Sequence, residues 1–257
     1  MKTNLSKDGS PITEAYRTAS RRILFLDYDG TLVPFNDRPG KSKLPPQVRD
    51  LLGILANDSR NMIFIISGRA REFLDRQFRG LGVGLVAEHG YRYREPGRKW
   101  SPGGPLSTGW RIPILETFRE LTGRFPGSFI EEKESSVAYH FRTAGVHIEQ
   151  KVLPVIRESF GEIHKRYTDL EKLEGHKIVE IKSRLYNKGS IASELASREP
   201  YDFILAAGDD VTDETLFTGL APDAFTIKIG SPKTSARFRT GNPEGFIDFL
   251  GELTRAV

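Results

Sequence analysis

Short apolar runs recur along the chain, and each stops at a polar group. Ile23-Leu24-Phe25-Leu26 runs into Asp27-Tyr28-Asp29-Gly30-Thr31, Met62 to Ile66 into Ser67-Gly68-Arg69, Val83 to Ala87 into Glu88-His89-Gly90, and Phe203 to Ala207 into Gly208-Asp209-Asp210. Runs of this length without polar alternation predict strands covered on both faces, as in a parallel α/β sheet. Between them the apolar spacing is helical: Val48, Leu51, Leu52 and Leu55 follow Pro46, a helix is predicted from Arg69 to Phe78, and Ile191 and Leu195 follow Asn187-Lys188-Gly189-Ser190. Phe225 to Ile229 predicts a last strand and Phe246 to Leu253 a closing helix.

From 106 to 184 the pattern changes. Ile112, Leu115, Phe118 and Leu121 space as a helix, followed by two alternating strands, Ser128 to Lys133 and Ser136 to Arg142. A helix from His147 to Phe160, interrupted by Pro154, then leads to a hairpin of Tyr167 to Leu173 and Lys177 to Lys182 turning across Glu174-Gly175. This αββαββ order builds an antiparallel sheet with helices on one side. The expected organisation is therefore a flexible lead-in over 1–20, a parallel-sheet α/β core of Rossmann type from 21–105 and 185–257, and an inserted α+β cap over 106–184.

Composition narrows the chemistry. Of 257 residues, 38% are hydrophobic and 28% charged, as in a globular soluble protein, and the absence of cysteine excludes disulfides, thiolate metal sites and cysteine catalysis. No apolar stretch has the length of a signal peptide core or a bilayer span, so a cytoplasmic protein with no membrane partner is expected. The net charge of +4 is spread along the chain rather than gathered with aromatics into a stripe, which argues against a nucleic-acid partner.

The candidate chemistry lies at the strand ends, because ligands in open α/β sheets bind outside the carboxyl ends of the strands. Asp27 and Asp29 repel unless a cation neutralises them, and hard carboxylate oxygens suit Mg²⁺. An Asp-x-Asp-Gly segment after a strand is also a turn signal, a lone lysine is usually surface and a lone serine a helix cap. Taken together, Asp27, Asp29, Ser67, Lys188 and Asp209 match the needs of phosphoryl transfer. Asp27 is read as the attacking carboxylate, Asp29 as the group that protonates the leaving oxygen, Ser67 and Lys188 as holders of the phosphoryl oxygens, and Asp209 as a metal ligand with Asp213 acting through water. Thr31 offers a hydroxyl and N–H to the same anion.

Asp27-Tyr-Asp-Gly-Thr-Leu, Ser67, Lys188 and Gly208-Asp209-Asp210-x-x-Asp213 resemble the four motifs of the haloacid dehalogenase superfamily of phosphatases, and the inserted lobe is similar to that superfamily's large α/β cap. More narrowly, Ile66-Ser67-Gly68-Arg69, Ala87-Glu88-His89-Gly90, Asn187-Lys188-Gly189 and Gly208-Asp209-Asp210-x-Thr212-Asp213-Glu214 resemble the trehalose-6-phosphate phosphatases, from about residue 20 to the C-terminus. The resemblance implies Mg²⁺-dependent hydrolysis of trehalose 6-phosphate through an aspartyl-phosphate. It also implies phosphate contacts at Thr31, Ser67, Gly68 and Lys188, metal ligation by Asp27, Asp29, Asp209 and Asp213, and sugar contacts from Glu131, Lys133, Arg142 and Glu180, with Arg69 at the seam of cap and core.

His140 is read as a packed strand residue and His89 as structural. A monomer is expected, linked to or acting with a trehalose-6-phosphate synthase. Another sugar-phosphate phosphatase or phosphomutase, or a catalytically silent regulatory domain, stand as alternatives.

Overall fold

The computed structural model describes residues 3–4, 11–34, 42–230 and 233–256. The chain divides into two compact units, Met1–Gly103 with Tyr186–Val257, and Gly104–Leu185.

The strands of the first unit are β1 (Thr3–Asn4), β2 (Arg22–Asp27), β3 (Asn61–Ile66), β4 (Gly84–Ala87), β5 (Arg92–Arg94), β10 (Phe203–Gly208), β11 (Phe225–Ile229) and β12 (Phe238–Thr240). They form one sheet in the order β1-β12-β11-β10-β2-β3-β4-β5, parallel except where β5 runs back along β4. β2 and β10 are neighbours although far apart in sequence, and the strand order runs outward from them in opposite directions. That junction is where a doubly wound sheet opens a crevice at its carboxyl edge.

Successive side chains of each strand enter opposite layers. Leu24 and Leu26 pack with Ile63, Ile65, Leu205, Ala207 and Ile227 against one set of helices, including α2 (Pro46–Asn57) and α8 (Pro243–Thr254). Ile23 and Phe25 pack on the other side with Phe64, Ala206 and the apolar faces of α6 (Lys188–Ser197) and α7 (Asp213–Gly219). Burial on both faces explains why these strands read as continuous apolar runs. α3 (Arg71–Gln77) joins β3 to β4 and places Leu74 in the first of these layers.

The lead-in expectation is corrected over its described part. Residues Pro11–Thr18 form α1, with Ile12 and Tyr16 fully buried. Tyr16 packs edge-on against Phe203, accepts a hydrogen bond from Asn61 Nδ2 at 2.7 Å, and lies under the Arg22 guanidinium, 3.9 Å away. Arg22 is itself fully buried and paired with Asp58 at 2.9 Å. The helix is held by these distant partners, which local spacing does not show.

The second unit contains α4 (Arg111–Arg124), β6 (Phe129–Glu132), β7 (Ser136–His140), α5 (Glu149–His164), β8 (Leu170–Gly175) and β9 (Ile178–Ser183). The antiparallel sheet has the order β6-β7-β9-β8. Val137, Tyr139, Val179 and Ile181 pack with Ile114, Phe118, Val152 and Ile156 of the helices in a separate core. Two expectations are corrected here. α5 runs unbroken through Pro154, where an interruption was expected. The β8–β9 turn lies at His176-Lys177, because Gly175 pairs with Ile178, and Lys177 takes a positive φ of 58° there.

Candidate active site

β2 delivers Asp27 to the carboxyl edge of the sheet, and the chain then closes a tight loop in which the Leu32 and Val33 N–H groups donate to the Tyr28 carbonyl at 3.0 and 3.1 Å. Gly30 takes a φ of 81° there. A Cβ at this position would lie 2.1 Å from Asp209 Oδ2, so the missing side chain is what lets the Asp209 carboxylate sit over the loop. Tyr28 turns away, donating to the Ser42 carbonyl at 3.1 Å and packing edge-on against Phe73 and Phe78. That anchor sends its two acidic neighbours toward the edge.

Carboxylate oxygens of Asp27, Asp209 and Asp213 lie within 4.8 Å of one another. The Lys188 ammonium bridges two of them, donating at 2.7 Å to Asp27 Oδ1 and at 2.7 Å to Asp213 Oδ1. Lys188 stands at the first turn of α6, whose cap is the Asn187 side chain accepting from Ser190 N–H at 2.9 Å. The position of this turn follows from glycine: a Cβ on Gly189 would lie 2.0 Å from the Thr215 carbonyl oxygen, and Gly219 packs on Gly189 in turn. Two glycines thus bring α6 and α7 close enough for Lys188 to reach Asp213. Gly208 plays the same part beneath Asp213, whose carboxyl carbon would be 2.1 Å from an added Cβ.

Burial pushes the Asp27 carboxyl well above its ordinary range, and the charges of Asp213 and Asp209 add to this while Lys188 opposes it. Burial also lifts Asp209, with Asp213 reinforcing it, to about 6. For Lys188, burial disfavours the charge, but the carboxylates of Asp213 and Asp27 outweigh it and the ammonium is held protonated. Three carboxylates facing one ammonium form a site with excess negative charge. The donor set is all oxygen, and it fits a hard divalent cation, which would supply the missing positive charge. In the loop after β2 the Thr31 hydroxyl is fully buried and has no hydrogen-bond partner among the described residues.

Asp29, expected as a fourth metal ligand, is not in the carboxylate group among the described residues. Both its oxygens are engaged by Arg69, which donates at 2.7 and 2.6 Å from Nε and Nη2. Arg69 lies over the Phe73 ring and follows Ser67-Gly68 at the end of β3. Ser67 is buried, with its Oγ accepting from Arg69 N–H at 3.2 Å. Asp213, expected to act through water, belongs to the carboxylate group itself. Sequence reasoning missed Lys228, a buried lysine inside the apolar run of β11, which donates to the Asp210 carbonyl at 2.8 Å and fixes the loop carrying the acids. A charged residue inside an apolar strand was the available signal.

In the second unit the register aligns Glu131 with Ala138 and Ala138 with Glu180, which puts both acids on the face opposite the helices. Lys133 donates to Glu180 at 2.9 Å, and Ser136 reaches the same oxygen at 2.5 Å. His140 pairs with Glu131 at 2.8 Å and stacks on Phe129. Burial works to raise the Glu131 carboxyl, but His140 and Lys133 outweigh it and hold it below its usual value. Arg142 donates to the His176 carbonyl at 2.8 Å.

A doubly wound sheet ending in a lysine-bridged carboxylate cluster, with an αββαββ insertion, is the architecture of the haloacid dehalogenase phosphatases. A profile of the trehalose-phosphatase family matches residues 25–242, and the chain belongs to that family. It is 36% identical to a bifunctional trehalose-6-phosphate synthase/phosphatase of Thermoproteus tenax over 93% of its length and 32% of the relative's. It is 33% identical to a trehalose-phosphatase of Schizosaccharomyces pombe over 93% of the chain and 31% of the relative. The chain therefore spans about a third of the length of these curated relatives. The solved C-terminal domain of Candida albicans trehalose-6-phosphate phosphatase superposes with a TM-score of 0.88 at 26% identity, covering 100% of this chain and 99% of that one. No described helix is long and apolar enough to cross a membrane.

Proposed function

We propose that this chain hydrolyses trehalose 6-phosphate to trehalose and inorganic phosphate. The observation that carries the reading is the Lys188 ammonium held at 2.7 Å from both Asp27 and Asp213 at the sheet edge, in a chain of this family. A silent regulatory domain would have no need of an intact set of Asp27, Asp29, Lys188 and Asp209.

Asp27 is assigned as the nucleophile. One oxygen is engaged by Lys188, which orients the carboxylate, and the other forms the bond to phosphorus as the bond from phosphorus to the sugar oxygen breaks. Asp29 supplies the proton to the departing sugar oxygen and takes one from the water that then attacks phosphorus, freeing Asp27 and releasing phosphate. Since Arg69 holds both Asp29 oxygens, one of those hydrogen bonds has to open for the carboxyl to carry a proton. Asp27, Asp209 and Asp213 would hold Mg²⁺, which when bound neutralises charge on the transferred group. Ser67, Gly68, Thr31 and Lys188 are assigned to the phosphoryl oxygens.

The sugar hydroxyls are assigned to Glu131, Lys133, Glu180 and Arg142, with Arg69 also reading the substrate. Support comes from the shared polar face of the first three, since polar groups built to pair with hydroxyls reject analogues that lack them. The substrate implies a synthase that makes it, consistent with the two activities joined in the Thermoproteus tenax relative. Phosphate release measured over a panel of sugar phosphates, with Mg²⁺ and with a chelator, tests the reading. Trehalose 6-phosphate should be preferred, and only with the metal; a flat profile over the panel would reject the substrate assignment.

A further inference from the structure

The turn after β4 holds two successive residues in the left-handed region, Glu88 at φ 48° and His89 at φ 57°, before Gly90 at 114°. Non-glycine residues take this conformation at an energetic cost, and such strain persists only where the surroundings fix it. Here they do. Glu88 N–H donates to the Arg69 carbonyl at 3.1 Å, and His89 N–H donates to the Ser67 carbonyl at 3.0 Å, so the turn is laced to the segment that ends β3. The Ser67 N–H in turn donates to the Val86 carbonyl at 3.0 Å.

The side chain continues what the backbone begins. The His89 imidazole fills the space above Gly68, where an added Cβ would be 2.4 Å from Nε2 and 2.6 Å from Cε1. On its far side the same turn abuts the start of α6: a Cβ on Gly90 would be 2.9 Å from the carbonyl oxygen of Asn187, the residue before Lys188. One strained turn therefore touches both segments that carry the assigned phosphate holders, Ser67-Gly68 and Asn187-Lys188.

We infer that the Glu88–Gly90 turn sets the spacing of these two segments around a phosphoryl group, with His89 as the positioning residue whose ring fixes the Ser67-Gly68 segment. The inference deepens the proposed function and rests on its assignment of Ser67, Gly68 and Lys188 to phosphate. His89 acts through Gly68, and its removal loosens the segment without removing a group that touches the reacting atoms.

His89→Asn separates the ring from the backbone, because asparagine tolerates the left-handed conformation but does not fill the space above Gly68. With Mg²⁺ present, the variant should bind inorganic phosphate about tenfold more weakly, and kcat on trehalose 6-phosphate should fall by about ten- to a hundredfold with its melting temperature close to that of the parent. Gly68→Ala should be impaired by collision with the ring, and the double variant G68A/H89N should recover activity relative to G68A alone. A purely structural role predicts the reverse pattern, a lowered melting temperature with phosphate affinity and kcat retained in the folded protein. That pattern, or a double variant no better than G68A, would overturn the inference. If the parent binds phosphate but releases none from any sugar phosphate, the substrate assignment fails while the phosphate affinities still decide the role of His89. A parent protein that binds no phosphate removes both.

Discussion

Lys188→Met keeps the length of the side chain and removes its charge, leaving Asp27, Asp209 and Asp213 facing one another without an ammonium among them. In the parent, two hydrogen bonds of 2.7 Å join Lys188 to carboxylates that are themselves buried. Removing one partner of such a buried pair costs about 3–5 kcal/mol, because the remaining charge is left in a poorly solvating place. For a domain of this size that corresponds to a fall in melting temperature of about 6–20 °C. The sign with pH follows from the carboxyls. Asp27 is raised above its ordinary value and Asp209 reaches about 6 with Lys188 present, and both rise further without it. Groups whose folded pKa is raised contribute stability that is present below the unfolded value near 4 and lost as pH rises through the folded value. The penalty should accordingly be largest above pH 7 and shrink toward pH 5, where the folded variant takes up protons. Thermal unfolding of metal-free parent and variant at a series of pH values measures this. A loss independent of pH, or no loss at pH 7.5, would refute the electrostatic account of the site.

Other outcomes follow from the same geometry. Gly30→Ala forces a left-handed alanine and a Cβ into the Asp209 carboxylate, so the Mg²⁺ concentration needed for half-maximal activity should rise at least tenfold; an unchanged requirement would show that Asp209 has no part in holding the metal. Since protons compete with a cation for Asp209 below about pH 6, Mg²⁺ affinity measured by calorimetry should weaken as pH falls from 7 to 5, by up to about tenfold per unit, whereas a cation held elsewhere would give a flat profile. Lys133→Ala should lower kcat/KM for trehalose 6-phosphate about a hundredfold and leave a generic aryl phosphate nearly untouched; equal losses on the two substrates would remove Lys133 from sugar recognition.

The parts of the molecule written in the sequence are those set by short-range pattern. Ile23 to Leu26, Met62 to Ile66 and Phe203 to Ala207 announce buried strands because both faces of the sheet are covered, and the polar residues that stop them mark its carboxyl edge. Lys188 follows from the same logic through its cap at Asn187. What pattern cannot show is pairing between distant side chains. The bidentate hold of Arg69 on Asp29 draws an expected metal ligand away from the other three acids, and the reach of Lys188 to Asp213 depends on glycines at 189 and 219 on different helices. α1 is hard to read because its buried Tyr16 finds partners at Asn61, Arg22 and Phe203, and β1, at the sheet edge, and β12 beside it are strands of two and three residues, too short to carry a period. The fall of both cap acids on one sheet face was readable from alternation alone, although their pairing with His140 and Lys133 was not.

The central claim is that Asp27 becomes covalently phosphorylated. Borohydride reduces an acyl phosphate but not a free carboxylate, so quenching the enzyme during turnover of trehalose 6-phosphate and mapping the reduced residue by mass spectrometry reads the nucleophile directly. The account predicts reduction at residue 27 alone, dependent on substrate and Mg²⁺ together; reduction at Asp29, Asp209 or Asp213 in its place would contradict it.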